Sequence, residues 1–247
     1  MERENDLRIS GAGSAGGGRF NEVRISGAGN INGDIECNTF RSSGASSVKG
    51  NIKTKIFESS GASDVKGNVE ASEMRISGAG KINGSVSAGK LKISGAGDIG
   101  GNLHAEIVEV SGGTDIKGDV EAESFKASGG FRIGGLLNAG EINININGKC
   151  SAKEIGGEKI NIRRNSSFGG GAFSGGVFKV IKDMFNVHEY LVTEAIEGDD
   201  IYIESTVAKV VRGNNVTIGS DCDIDVVEYK NDIKIEKDAR VKEQKRI

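Results

Sequence analysis

A spacing of 17 positions, repeated without insertion or deletion, limits what this chain can fold into more than any other feature. Val23, Phe40, Phe57, Met74, Leu91, Val108, Phe125 and Ile142 each follow the last by 17 positions. Eight positions after the first seven stand Ile31, Val48, Val65, Ile82, Ile99, Ile116 and Ile133, and twelve after stand Ile35, Ile52, Val69, Val86, Leu103, Val120 and Leu137. Glycine recurs four positions after each start, from Gly27 to Gly129, and ten after, from Gly33 to Gly135. Small residues close each copy: Cys37, Thr54, Ala71, Ala88, Ala105, Ala122 and Ala139. Within a copy the apolar positions step by two, the period of a strand, and glycine punctuates the segments where bends are needed.

One such copy cannot bury its apolar face alone, but a stack can. Stacking brings like columns together and gives every strand a parallel partner roughly 4.8 Å above and below. A coil of this length has a perimeter of about 56 Å at ~3.3 Å per residue, enough for three short faces around a narrow core. The expected fold is all-β, a right-handed parallel β-helix (solenoid), because parallel crossovers are overwhelmingly right-handed. A shorter copy begins at Leu7, with Ile9, Gly11 and Ala15 in the matching places. After Ile142 the spacing predicts a coil shortened to 13 positions, aligning Ile146, Gly148, Cys150 and Ala152 with Ile133, Gly135, Leu137 and Ala139.

Order weakens from about Arg163. A Ser/Gly-rich stretch precedes Val177, Phe178, Ile181, Met184 and Phe185, which fall on helical spacing and make a short amphipathic segment. Repetition then returns: Ile196, Gly198, Ile201, Ile203 and Val207 recur 15 positions later as Val211, Gly213, Val216, Ile218 and Cys222. Ile233, Ile235, Ala239 and Val241 follow Val216, Ile218, Cys222 and Ile224 by 17 positions. The chain therefore divides into a main solenoid of about nine coils over 1–162, an excursion loop over 163–190, further coils over 191–241 and a charged tail over 242–247. One stack interrupted by a loop is the expected arrangement.

Chemistry is sparse. The 32 basic and 35 acidic residues nearly balance, so no broad basic field marks a nucleic-acid partner. The glycines resemble pieces of a phosphate loop, but they recur with every copy and no helix follows them, which makes them corners. Only His104 and His188 could act as general bases near neutral pH, and neither stands in a catalytic constellation. Cys37, Cys150 and Cys222 show no metal-binding spacing and fall in inward columns. A serine ladder, Ser26, Ser43, Ser60, Ser77, Ser94, Ser111 and Ser128, precedes the corner glycines and is expected to satisfy backbone groups there. No enzymatic activity, cofactor or metal is expected. The charged start over 1–6 lacks the apolar run of a secretory signal, and no stretch approaches a membrane span, so a cytoplasmic setting is expected.

The pattern Ile/Val-x-Gly-x-Ile/Val-x-Ala, as in Val65-Lys66-Gly67-Asn68-Val69-Glu70-Ala71, resembles the bactofilins, bacterial polymer-forming cytoskeletal proteins. The resemblance covers roughly residues 7 to 155. It implies a right-handed β-helix that assembles head to tail into filaments without nucleotide, often along the inner membrane, as a scaffold for cell-envelope or motility proteins. Physics points the same way. A β-helix ends in unpaired N–H and C=O groups and a cut core, which a second copy can cover. Leu7 and Ile9 at one end and Ile233, Ile235 and Val241 towards the other are the candidate polymer contacts, and Val177, Phe178, Ile181, Met184 and Phe185 the candidate contacts with a membrane or partner. The alternative is a binding module that does not polymerise and uses its repetitive outer surface.

Overall fold

The computed structural model describes residues 5–164 and 190–247. The amphipathic segment with Val177, Phe178, Ile181, Met184 and Phe185, and also His188, lie outside these residues. Nineteen strands, β1 (Leu7–Ile9) to β19 (Arg240–Arg246), form one parallel β-solenoid of about 13 turns, with no helix among the described residues. The apolar column that begins each copy is unbroken from end to end. Leu7 pairs with Val23, Val23 with Phe40, and so on to Ile142, then Ile160, Ile201, Val216 and Ile233. β15 (Cys150–Arg164) pairs directly with β16 (Leu191–Ile203), so the coils on either side of the excursion share one stack and one core.

Each face buries alternate residues. The columns containing Ile31 and Ile35 are buried in coil after coil, and Phe40 lies flat on Phe57 with ring centroids 5.0 Å apart. A further inward column stands two positions after each repeat start: Ile25, Ser42, Ser59, Ile76, Ile93, Val110 and Ala127. It meets, across the corner, a column four positions on: Gly29, Ser46, Ser63, Gly80, Gly97, Thr114 and Phe131. Their sizes are exchanged. Where the first is isoleucine the second is glycine, and a Cβ on Gly80 would come within 2.8 Å of the Ile76 side chain. Where the first is serine so is the second, with Ser59 Oγ 2.5 Å from Ser63 Oγ and Ser46 Oγ 3.0 Å from Ser63 Oγ. Where the first shrinks to Ala127, Phe131 fills the space and packs edge-on against Phe125. The corner holds a nearly constant volume, as close-packed interiors require.

The corner glycines serve close approach between coils. A Cβ on Gly61 would collide with the carbonyl oxygen of Gly44 one coil below, and the other members of this column are equally tight. Positive φ, the usual reason for glycine at a bend, occurs only at Gly18, Gly33 and Gly148 among the described glycines.

Three sequence expectations need correction. The shortened coil after Ile142 does not form: Cys150 stacks on Phe131, Ala152 on Ile133 and Ile160 on Ile142. Gly148, at φ 113°, widens the corner before Cys150, and an irregularity between Ile133 and Leu136 takes up the slack. Val207 is not an inward residue. It is 43% exposed, while Thr206 is buried and donates its hydroxyl hydrogen to the Glu204 carbonyl at 2.8 Å. A positive φ at Ser205 turns the chain there, which puts the polar residue inside and the apolar one out. Lastly, none of the seven ladder serines uses its hydroxyl to bond protein, and all seven face solvent.

The side chains that do support backbone stand one position after the second glycine column. Asp34 Oδ1 accepts the N–H of Asn51 at 2.7 Å, Asn51 Oδ1 that of Asn68 at 2.8 Å, and Asn68 Oδ1 that of Ser85 at 2.8 Å. Ser85, Asn102 and Asp119 continue the series to the N–H of Leu136. Each coil's side chain thus completes the hydrogen bonding of the next coil where strand pairing lapses.

Candidate functional site: the two ends of the solenoid

At the N-terminal end β1 and the start of β2 (Ala12–Ile25) each have a pairing partner on one side only among the described residues. Ile9 is 9% exposed and Leu7 is half-buried, both packed on the core. The rest of this coil is small inside: Ala15 stands in the Ile31 column and Gly18 in the Ile35 column. Phe20, in the Cys37 column, fills part of the gap, its ring edge 3.6 Å from where a Cβ of Gly18 would stand. The apolar core therefore reaches this end as a shallow floor of short side chains.

At the other end β18 (Asp223–Ile235) and β19 supply the last layer. Ile233 and Val241 pack on the core while partly exposed, and Ile235 is 36% exposed, among the most exposed large apolar side chains described. Ile233 and Ile235 continue the Leu7 and Ile9 columns, whereas Val241 continues the Ile31 column, whose N-terminal member is Ala15. Gln244 closes the Ile35 column, following Val227. The five end residues named from the sequence thus lie in two layers at opposite ends of one core, and sequence reading missed Ala15, Gly18, Phe20 and Gln244. Column alignment at the two irregular coils would have found them.

Outward charges along the stack are organised by coil spacing. Arg41 Nε meets Glu58 at 2.7 Å, Lys53 meets Glu70 at 2.8 Å and Arg212 meets Glu228 at 2.7 Å. These pairs are solvent-exposed and individually contribute little to stability, but they fix which signs face which along a column. Hydrogen bonding by Arg24 together with the Arg8 and Arg41 charges holds the Glu22 carboxyl below its ordinary range.

The other candidate chemistry stays dispersed. His104 is exposed, with Nδ1 3.3 Å from Glu121. No group of three or more His, Cys, Asp or Glu among the described residues is placed to hold a metal ion. Cys150 and Cys222 are buried, and burial pushes both thiols up to about 11. A trough on one outer face is lined by Ala28, Ala45, Ala62, Ala79 and Ala96 beside Asp64 and Lys81, with no catalytic grouping in it. No described helix is long and apolar enough to cross a membrane.

Residues 1–87 match the family model for bactofilin, described as polymer-forming cytoskeletal. Over these residues the chain resembles bactofilin. The match ends midway through the repeats, yet the coils from Val86 to Ile142 keep the same columns and register as the matched coils. Two relatives come from Bacillus subtilis (strain 168). The uncharacterized protein YhbF is 37% identical over 114 residues, which is 46% of this chain and 42% of that protein. The uncharacterized protein YhbE is 37% identical over 108 residues, 43% of this chain and 41% of that protein. The matched region thus spans about two fifths of either relative. No solved structure matches the chain. A polymer-forming cytoskeletal family and a continuous β-solenoid together support a structural role.

Proposed function

We propose that this protein is a structural, cytoskeletal-type subunit that assembles end to end into filaments without nucleotide and serves as a scaffold. The observation that carries the proposal is the unbroken core column from Leu7 to Ile233, which meets each end with strand edges that, among the described residues, are paired on one side only. Joining two copies end to end satisfies those backbone groups and buries Ile235 and the N-terminal floor together, so assembly draws on the same terms as coil stacking. Contact between opposite ends does not close on itself and propagates as an open filament. The coils are right-handed in this reading, as parallel crossovers overwhelmingly are. The protein acts in the cytoplasm, with itself as first partner. The segment containing Val177, Phe178, Ile181, Met184 and Phe185 supplies a second contact, with the inner membrane surface or with cell-envelope or motility proteins.

Negative-stain electron microscopy and sedimentation of the purified protein, without nucleotide and with chelator, test the assembly. Filaments are expected. Replacing Leu7 and Ile9 together by lysine is expected to shorten or abolish them while leaving the far-ultraviolet circular dichroism of β-structure in place. A wild-type protein that stays monomeric at high concentration across a wide range of salt removes the filament reading and leaves the binding module in its place.

A further inference from the structure

At one corner of the stack the coils on either side are held together by packing far more closely than by the chain. Ile203 stacks on Ile162 and Thr206 on Leu191, and two residues, Glu204 and Ser205, turn the corner between Ile203 and Thr206. One coil earlier the same corner, from Ile162 to Leu191, contains residues 163–190. Residues 165–189 could span up to roughly 85 Å at ~3.4 Å per residue. The coils from Leu191 onward rise only about 20 Å at ~4.8 Å per layer.

Across this seam Ile155, Ile160 and Ile162 of β15 meet Ile196, Ile201 and Ile203 of β16, each at most 3% exposed. A polar clasp closes the corner beside them. The Arg164 backbone N–H donates to Glu204 Oε2 at 2.9 Å, and the Arg164 guanidinium reaches Asp221, two coils along, at 2.8 Å. Asp221 holds a positive φ of 58° there. Arg163 lies over the Tyr202 ring, 4.6 Å from its centroid, and the Tyr202 hydroxyl in turn donates to Glu204. None of the contacts across the seam requires that its two sides belong to one chain. Elsewhere in the stack corners of two or three residues are too short to cross to a neighbouring solenoid; here the connection is long enough.

We propose that the face of β15 is an exchangeable docking surface for the C-terminal coils, residues 191–247, of a second copy of this chain, with Arg163 and Arg164 clasping the exchanged seam as they clasp the native one. Two copies that exchange these coils make every seam contact in both seams, so nothing is lost in packing. The balance between closed and exchanged forms is then set by protein concentration against the effective concentration that residues 165–189 impose on their own coils. Exchange uses neither end of the solenoid, so it is independent of filament growth.

A charge-reversed pair of full-length chains tests this. Arg164→Glu sets a carboxylate against Asp221 and Glu204, and Asp221→Arg sets a guanidinium against Arg164. Each variant carries its clash when closed. Exchange between the two variants sets opposite charges together in one seam and restores the native pair in the other, while any strain at residue 221 is the same in both forms. All chains carry a protease site within 165–189, and also Leu7→Lys with Ile9→Lys to keep solenoid ends apart. The two variants are refolded together from urea, cut once and weighed by native mass spectrometry. The species counted is a 1:1 complex of one variant's N-terminal part with the other's C-terminal coils. Isotopically light and heavy chains without the charge reversals are treated in the same way, and proteins cut before mixing give the background. At low micromolar concentration the reversed pair is expected to form about tenfold more of this hybrid than the unreversed chains. The unreversed chains are expected to form more as their concentration approaches about 1 mM. Unreversed chains that stay at background at every concentration would overturn the exchange, whether or not the reversed variants fold. A folded reversed pair no richer in hybrids than the unreversed chains would overturn the clasp.

Discussion

The exchange of volume across the corner allows a double-mutant test at residues 76 and 80. Ile76 is 1% exposed, and a Cβ on Gly80 would approach three of its side-chain carbons at 2.8, 3.0 and 3.3 Å. Gly80→Ser alone therefore overpacks the corner, for about 1–3 kcal/mol. Ile76→Ser alone empties it, losing roughly 2–5 kcal/mol for the removed side chain and about 1–3 kcal/mol more for an unpaired buried hydroxyl. Made together, the two changes reproduce the arrangement one coil below, where Ser59 and Ser63 pair at 2.5 Å. The second serine fills part of the cavity and supplies the missing partner. The expected coupling is about 2–3 kcal/mol in favour of the double variant, measured by urea denaturation of all four proteins followed by circular dichroism. Additivity within about 0.5 kcal/mol would refute the claim that these columns pack as one unit.

Core stability, thiol reactivity and membrane attachment each have a definite expected outcome. Ile82 is 2% exposed in a column of apolar residues, so Ile82→Asp should lower stability by at least several kcal/mol, and an unchanged thermal midpoint would count against this register. Because burial raises the folded-state thiols of Cys150 and Cys222 from 9.0 to about 11, both should resist alkylation by iodoacetamide at about pH 8 in the folded protein and react once it is unfolded. The sign of the linkage follows: below pH 9.0 the thiols are neutral in both states, and as pH rises above that value the unfolded chain ionises first, so the fold loses stability through these groups. The double variant Phe178→Asp with Phe185→Asp should lose co-sedimentation with anionic liposomes relative to the wild type; normal co-sedimentation of the variant would eliminate membrane attachment by that segment.

The parallel stack was legible in the sequence because its repeat is covalent and regular. With no insertion across seven copies, the column of Ile31 and the column of Ile35 could only superpose, and alternation by two decided which residues point inward. The apolar character of both ends, with Leu7 and Ile9 at one and Ile233 and Ile235 at the other, could be read for the same reason. Where copies change length, spacing no longer determines register. The corner at Gly148 widens to admit the large Phe131 below it, which moves Cys150 and Ala152 onto partners the sequence alignment did not give them. The turn at Ser205 likewise sends Thr206 inward and Val207 out. The pairing of Ile76 with Gly80, the close approach behind Gly61 and the bond from Asn68 N–H to the Asn51 side chain depend on distances across corners and between coils. Only the folded stack determines those distances, because packing density acts on atoms that are neighbours in space, whatever their separation along the chain.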